Sequence, residues 1–453
     1  MNIFGISENL DIYYASNTIN AIIIAIFGSS INYSTTPLLL KLLKKNNING
    51  FRLLSNSLIN IFFIFFFILA ILQFTFSSQI ASVLFPGFLP SNQILLSDLF
   101  SIQAFISILS ALIGIINAIN FSLNKIYRTI VFSVLGSLIQ IIYIYFAYES
   151  QGIFSLVYAL ALMQFVTLVG QSLSLIKYYQ MKINFNSILK ESLNKMSPLA
   201  ISSIFGRSDI LIDRYLSSML LAGSITLLHY GNLFIMILTS LVNKGISIVS
   251  LRKFSYLTDD RENFNVYFVK IFKIMLSISL FFVLNIFIAG ELILDTFFKT
   301  TTSLNQDQIS KIYLIVLFLQ GSFIGGVISS VLVNAFYSKG LTSLIAKFSV
   351  MINSIGIMSK YYFFNSFGFY ALPVVFSVKS ILNAAFLLLL YNIYIDKVRF
   401  SKVGLITIKI FSIAFLCLQI SFFLENYLFN DILNSIMTSV LYIVLIYFFI
   451  LRK

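Results

Sequence analysis

Thirteen times along its 453 residues the sequence returns to an apolar run about as long as a bilayer is thick. The runs cover approximately 11–33, 54–77, 96–121, 129–147, 153–176, 197–220, 225–250, 268–290, 311–336, 341–363, 368–392, 403–424 and 431–451. A helix needs about 20 predominantly apolar residues to cross the hydrocarbon. Only closed hydrogen-bond systems survive there, because no water satisfies a stray backbone group. Charged residues make up 10% of the chain, against about 25% in a soluble domain. The expected fold is therefore all-α, a polytopic membrane bundle of about thirteen transmembrane helices.

The connections support this spacing. Lys41, Lys44, Lys45 and Arg52 follow the first run, Lys125 and Arg128 the third, and Lys177, Lys182, Lys190 and Lys195 the fifth. Arg252, Lys253 and Arg261 follow the seventh, Lys339 the ninth, Lys397, Arg399 and Lys402 the eleventh, and Arg452 and Lys453 the last. The alternate connections hold only Lys299, Lys311 and Lys360. Cations concentrate in cytoplasmic loops. The C-terminus is thus expected in the cytoplasm and the N-terminus outside. The net charge of +14 reads as loop charge, so nucleic acid is not an expected partner. MNIFGISENLD at the start lacks the basic and apolar regions of a cleavable signal.

Polarity inside the apolar runs concentrates between Met196 and Phe254. Two helices are expected there, joined by Leu221-Ala222-Gly223-Ser224. The first carries Arg207, Asp209, Asp213 and Arg214, and the second adds His229, Asn232, Asn243 and Lys244. Arg207 and Arg214 are two turns apart and share a face, as do Asp209 and Asp213 one turn apart. A charge at membrane depth costs a few kcal/mol and marks a protein interior or an aqueous route. Two readings stand side by side: the charges neutralise one another between packed helices, or they line a substrate or ion pathway. Asp11, a carboxylate near the outer end of its run, reads as an interfacial cap or a gate. His229 reads as a packing residue before a proton relay. Asn353 and Lys379 read as packing or snorkelling residues, and Gly321, Gly325 and Gly326 as points of close helix approach or of a bend. The polar segment Arg252–Lys270 reads as a surface helix or a linker between bundles.

Several short motifs follow in order along the chain: Asp11-Ile12-Tyr13-Tyr14-Ala15, Pro37, Phe85-Pro86-Gly87-Phe88, Leu112-Ile113-Gly114 through Asn117-Ala118, and the stretch from Asp213 to Asn232 with its Gly223-Ser224 turn. Phe336-Tyr337-Ser338-Lys339 and Gly368-Phe369-Tyr370-Ala371-Leu372 continue the series. Together these motifs resemble the MviN/MurJ family of lipid II flippases. The resemblance implies two helical lobes around a cavity, within a superfamily of multidrug and lipid-linked oligosaccharide exporters. It divides the chain into 1–195, an N-terminal lobe lacking the family's first helix; 196–402, a C-terminal lobe with the charged helix; and 403–453, two additional helices. Three stretches depart from the family pattern. Ile22–Gly28 stands where the family places an arginine pair, Asn232-Leu233 where it places Asp-Arg, and Gly340–Ser343 where it carries Asp and Thr-Pro.

No HExxH, CxxC, P-loop or glycine-rich nucleotide motif is present, so an enzyme is not expected. Cys417 is the single cysteine, which excludes an internal disulfide. No cofactor is expected, although Na+ or H+ is a candidate coupling ion. The resemblance implies a flippase of polyprenyl-diphosphate-linked saccharide working by alternating access in the bacterial inner membrane. Its partners are the lipid-linked cargo, either lipid II for peptidoglycan or an O-antigen, capsule or exopolysaccharide unit, and the surrounding lipids; a monomer is expected. Arg207, Asp209, Asp213, Arg214, Asn232, Lys244 and Asp11 are the candidate pathway residues. The alternatives are an ion-coupled drug or metabolite antiporter of the same superfamily and a non-transporting envelope scaffold.

Overall fold

The computed structural model describes residues 4–173, 175, 179–180, 182–185, 187–299, 304–395, 400–425 and 431–451. Side chains at 25–30, 32–34, 198–199, 244–248, 299, 400–402 and 431 lie outside that description. Every regular element among the described residues is helical. The chain divides into two compact units, Ser7–Thr226 and Leu227–Lys453, the latter with residues 1–6. The parting comes later in the chain than the boundary at residue 195 expected from the sequence.

The first unit holds α1 (Glu8–Ser16), α2 (Thr18–Lys44), α3 (Ile48–Thr75), α4 (Ser77–Leu84) and α5 (Pro90–Ser122). It continues through α6 (Ile126–Gln151), α7 (Phe154–Ser172) and α8 (Ser187–Ser218). Helix α5 is central and packs on α1, α2, α3, α4, α6 and α7. Its sequence explains this role. Ala104, Ala111 and Ala118 recur every seven residues and are completely buried, and small side chains on one face let neighbours approach where no hydrophobic drive operates between helices. Leu39 of α2 and Leu54 and Leu58 of α3 close the core around it. Helix α6 is the opposite case: it packs mainly on α7 and turns Ile141, Tyr145 and Phe146 outward. Lipid tails solvate such a surface as well as protein does.

The second unit holds α9 (Ser224–Tyr256) from Leu227 onward, its first turn belonging to the first unit, with α10 (Arg261–Lys299), α11 (Gln306–Phe318), α12 (Gln320–Ser338) and α13 (Thr342–Phe367). It ends with α14 (Ala371–Tyr394), α15 (Phe400–Glu425) and α16 (Asp431–Ile446). Helix α12 crosses α14 at Gly325, where an added Cβ would stand 2.5 Å from the Ser380 backbone. Close approach is thus the role of Gly325, whereas Gly326 meets nothing nearer than 3.9 Å. The segment 252–270 is neither a surface helix nor a linker. It forms the end of α9 and the start of α10, because Phe254, Phe264 and Phe268 are buried and pack together with Tyr391 of α14. Helix α10 is kinked at Ala289, where φ is −130°.

Ten described segments are long and apolar enough to cross a membrane, and one of them, Thr342–Tyr394, comprises both α13 and α14. Two of the expected spans lie outside that set. The span 11–33 falls on α1 and α2, where side chains 25–30 and 32–34 lie outside the described residues. The span 197–220 falls on α8, whose charges from Arg207 to Arg214 are too many for a simple apolar crossing.

Candidate functional site

One crossing of the first unit is interrupted: α1 ends at Ser16 and α2 begins at Thr18. Carbonyls at the end of a helix lack intrahelical donors, and the helix dipole favours a cation there. Arg214 of α8 provides it. Its Nη1 donates to the Tyr14 carbonyl and, at 2.8 Å, to Thr18 Oγ1. A guanidinium stays charged in any protein environment, so this tie is permanently ionic on the α8 side.

Asp11, one turn before Tyr14, meets the other end of the same region. The residue is only 2% exposed. Oδ2 accepts from the Gly223 N–H at 2.7 Å, and Oδ1 from the Thr226 N–H at 2.7 Å and hydroxyl at 2.6 Å. Asp11 therefore caps the first turn of α9 from a different helix, which satisfies donors that a helix start leaves open. Gly223 permits the geometry: φ is +91°, a conformation that costs glycine nothing. Asp11 thus holds a buried contact to Gly223 and Thr226, not an interfacial one.

The remaining candidates separate. Asp209 is buried, Asp213 and Arg214 are half-buried, and Arg207 is exposed. Arg207 stands about 10 Å along the helix axis from Arg214, outside the cluster at the α1–α2 break. Asn232 donates to the Leu228 carbonyl of its own helix at 3.0 Å. His229 is half-buried, with its ring 6.3 Å from Tyr230. Lys244 lies on α9, and its side chain is outside the described residues.

A polar ladder escaped sequence reasoning. Ser110 Oγ donates to Asn20 Oδ1 at 3.1 Å, Asn20 Nδ2 to Gln103 Oε1 at 3.3 Å, and Gln103 Nε2 to Ser16 Oγ at 3.3 Å. All four side chains are buried, so α5 is hydrogen-bonded to both halves of the broken crossing. The signal was present: Gln103 and Ser110 lie two turns apart, as Ser16 and Asn20 lie one turn apart. Uncharged polar residues simply carry less weight in hydrocarbon than charges do.

The second unit has its own partly exposed polar face. Ser330 of α12 donates to Asn243 of α9 at 3.0 Å, and Asn383 of α14 to Ser329 at 3.0 Å. Lys379 of α14 donates to Asn353 of α13 at 3.1 Å. Among the described residues no group of His, Cys, Asp and Glu could hold a metal ion.

The model of the family described as lipid II flippase MurJ matches residues 1–446. A comparison with curated proteins finds no match. Among solved structures, a lipid II flippase MurJ in an inward closed conformation aligns with a TM-score of 0.83 at 20% identity, covering 99% of this chain and 94% of that one. An inward-facing multidrug resistance MATE transporter aligns with a TM-score of 0.72 at 15% identity, over 89% of this chain and 93% of that one. A transporter of the same superfamily from Pyrococcus furiosus gives 0.61 at 14%, over 86% and 87%. At these identities the alignments show the shared fold.

Proposed function

We propose, from the premise that this chain belongs to the lipid II flippase MurJ family, that it carries a polyprenyl-diphosphate-linked saccharide across the bacterial inner membrane by alternating access. The family match over residues 1–446 is the observation that carries this reading. The physical need is plain: a diphosphate with sugars cannot enter hydrocarbon without partners for its charges and hydroxyls. Arg207, Asp209, Asp213, Arg214, Asn232, Lys244 and Asp11 are then pathway positions with different tasks. Exposed Arg207 is the one to greet an anionic headgroup. Arg214 and Asp11 hold the broken crossing to the α8–α9 turn. Ties of this kind must loosen in one state and close in another for a transporter to alternate. The protein works as a monomer with its C-terminus in the cytoplasm, and Na+ or H+ is the coupling ion.

A second cargo is favoured by particular residues. Asn232-Leu233 and Ile22–Gly28 stand where the resemblance places arginines, so an O-antigen, capsule or exopolysaccharide unit is the alternative to lipid II. The test is expression in cells depleted of their own lipid II flippase, and separately in cells lacking their O-antigen flippase. Growth restored in the first identifies lipid II as cargo, and surface glycan restored in the second identifies the alternative. Membrane-inserted protein that restores neither contradicts the reading.

A further inference from the structure

Two lysines of the second unit meet at one aromatic ring within apolar helices. Lys360 Nζ stands 5.2 Å from the centroid of Phe376, and Lys379 Nζ stands 4.8 Å from it. Lys360 is fully buried and Lys379 is half-buried. They also share a depth. The short turn Gly368–Tyr370 joins α13 to α14. Lys360 lies seven residues before Phe367, and Lys379 eight after Ala371. At 1.5 Å per residue each is ~10–12 Å from the joined ends.

The surroundings are shaped to this side chain. A Cβ on Gly356 would fall 2.4 Å from Lys379 Cδ and 3.3 Å from Cγ, so α13 is notched where the lysine stem crosses it. One turn away on α13, Asn353 Oδ1 accepts from the ammonium at 3.1 Å. The Asn353 amide is oriented in turn by donating from Nδ2 to Ser349 Oγ at 3.2 Å. The ring faces of Phe376 favour cations, and Phe376 sits one turn from Lys379 on the same helix.

Helices α12, α13 and α14 carry Lys347, Lys360 and Lys379 and no Asp or Glu. Positive charges gathered at a low-dielectric wall attract an anion far more strongly than the same charges in water.

We infer that Lys379 and Asn353, with Lys360 behind the Phe376 ring, form a subsite for a phosphate or diphosphate group. Lys379 and Asn353 touch the anion. Lys360 is enclosed and acts through its field, as a positioning residue. The inference deepens the flippase reading and rests on it for the source of the anion, the diphosphate of a polyprenyl-linked cargo; free diphosphate shares the chemistry.

The test is ligand binding to the purified full chain by native mass spectrometry, with geranylgeranyl diphosphate, geranylgeraniol and inorganic diphosphate as probes. Lys379→Met keeps the stem across Gly356 and removes the charge. It should weaken geranylgeranyl diphosphate binding about tenfold or more, the size of one charge-assisted bond, and leave geranylgeraniol unchanged. Lys379→Arg should restore most of the diphosphate binding, and Lys360→Met should give a smaller loss. Thermal melting of each variant separates loss of binding from loss of fold. Inorganic diphosphate binding as tightly as the prenylated probe supports the anion site and assigns it to the free anion. Equal diphosphate binding by the unaltered chain and a folded Lys379→Met variant overturns the subsite. Complementation by the unaltered chain reports on the flippase reading separately, so the two can fail independently.

Discussion

Asp11 gathers three donors onto one carboxylate, and that concentration makes it the residue whose loss should be felt most. Asp11→Ala leaves the N–H groups of Gly223 and Thr226 and the Thr226 hydroxyl without their acceptor in a buried place. Each unsatisfied buried group costs about 1–3 kcal/mol. The expected outcome is a clear fall in the melting temperature of the purified protein, with Asp11→Asn intermediate because its amide retains one acceptor oxygen. An unchanged melting temperature in Asp11→Ala would remove the capping role. The charges of this region were legible in the sequence because a charge in hydrocarbon is costly wherever it sits. Their partners were not. Asp11 and Thr226 are 215 residues apart, and the carbonyl that Arg214 meets belongs to Tyr14, a backbone group no side-chain pattern announces.

Helices were legible as apolar runs, and their ends were not. Hydropathy reports where hydrocarbon begins, while a helix continues as long as its backbone bonds and side-chain contacts support it. Helix α9 therefore runs to Tyr256, and α10 begins at Arg261, with aromatic packing where the sequence suggested a linker. Breaks inside runs, at Asn17 and at Leu319, leave the hydropathy pattern intact and so were invisible. Close approaches were half legible. The glycines near Gly325 could be seen, but which of them touches a neighbour depends on helix rotation. Gly87 shows the same point in a loop: an added Cβ would stand 2.1 Å from the Ser218 carbonyl oxygen at the end of α8. Gly87→Ala and Gly325→Ala should each destabilise by about 1–3 kcal/mol, since backbone must move to admit the methyl group. Gly404→Ala, with nothing within 4 Å of the added Cβ, should melt like the unaltered protein. Thermal unfolding of the three variants side by side checks the comparison.

Across the whole molecule, the cations of alternate connections predict the orientation that an experiment can read. With the buried Cys417 replaced by Ala, single cysteines can report it. Lys44→Cys should resist a membrane-impermeant thiol reagent applied to intact cells, and Glu149→Cys should react; the reverse pattern would invert the topology. Function at this scale rests on the family match and on a charged helix that hydrocarbon alone would not tolerate. The most direct measurement is translocation of a fluorescent lipid-linked saccharide in proteoliposomes, normalised to the amount of folded protein and run beside Asp213→Asn. A pathway residue in a hydrated site can lose its charge without unfolding the chain, whereas one partner of a dry, buried pair cannot. The prediction is flux well above protein-free vesicles for the unaltered chain, and at least about a tenfold fall for Asp213→Asn at equal abundance. Flux no greater than that of protein-free vesicles, with lipid II and with an O-antigen unit alike, would contradict the account.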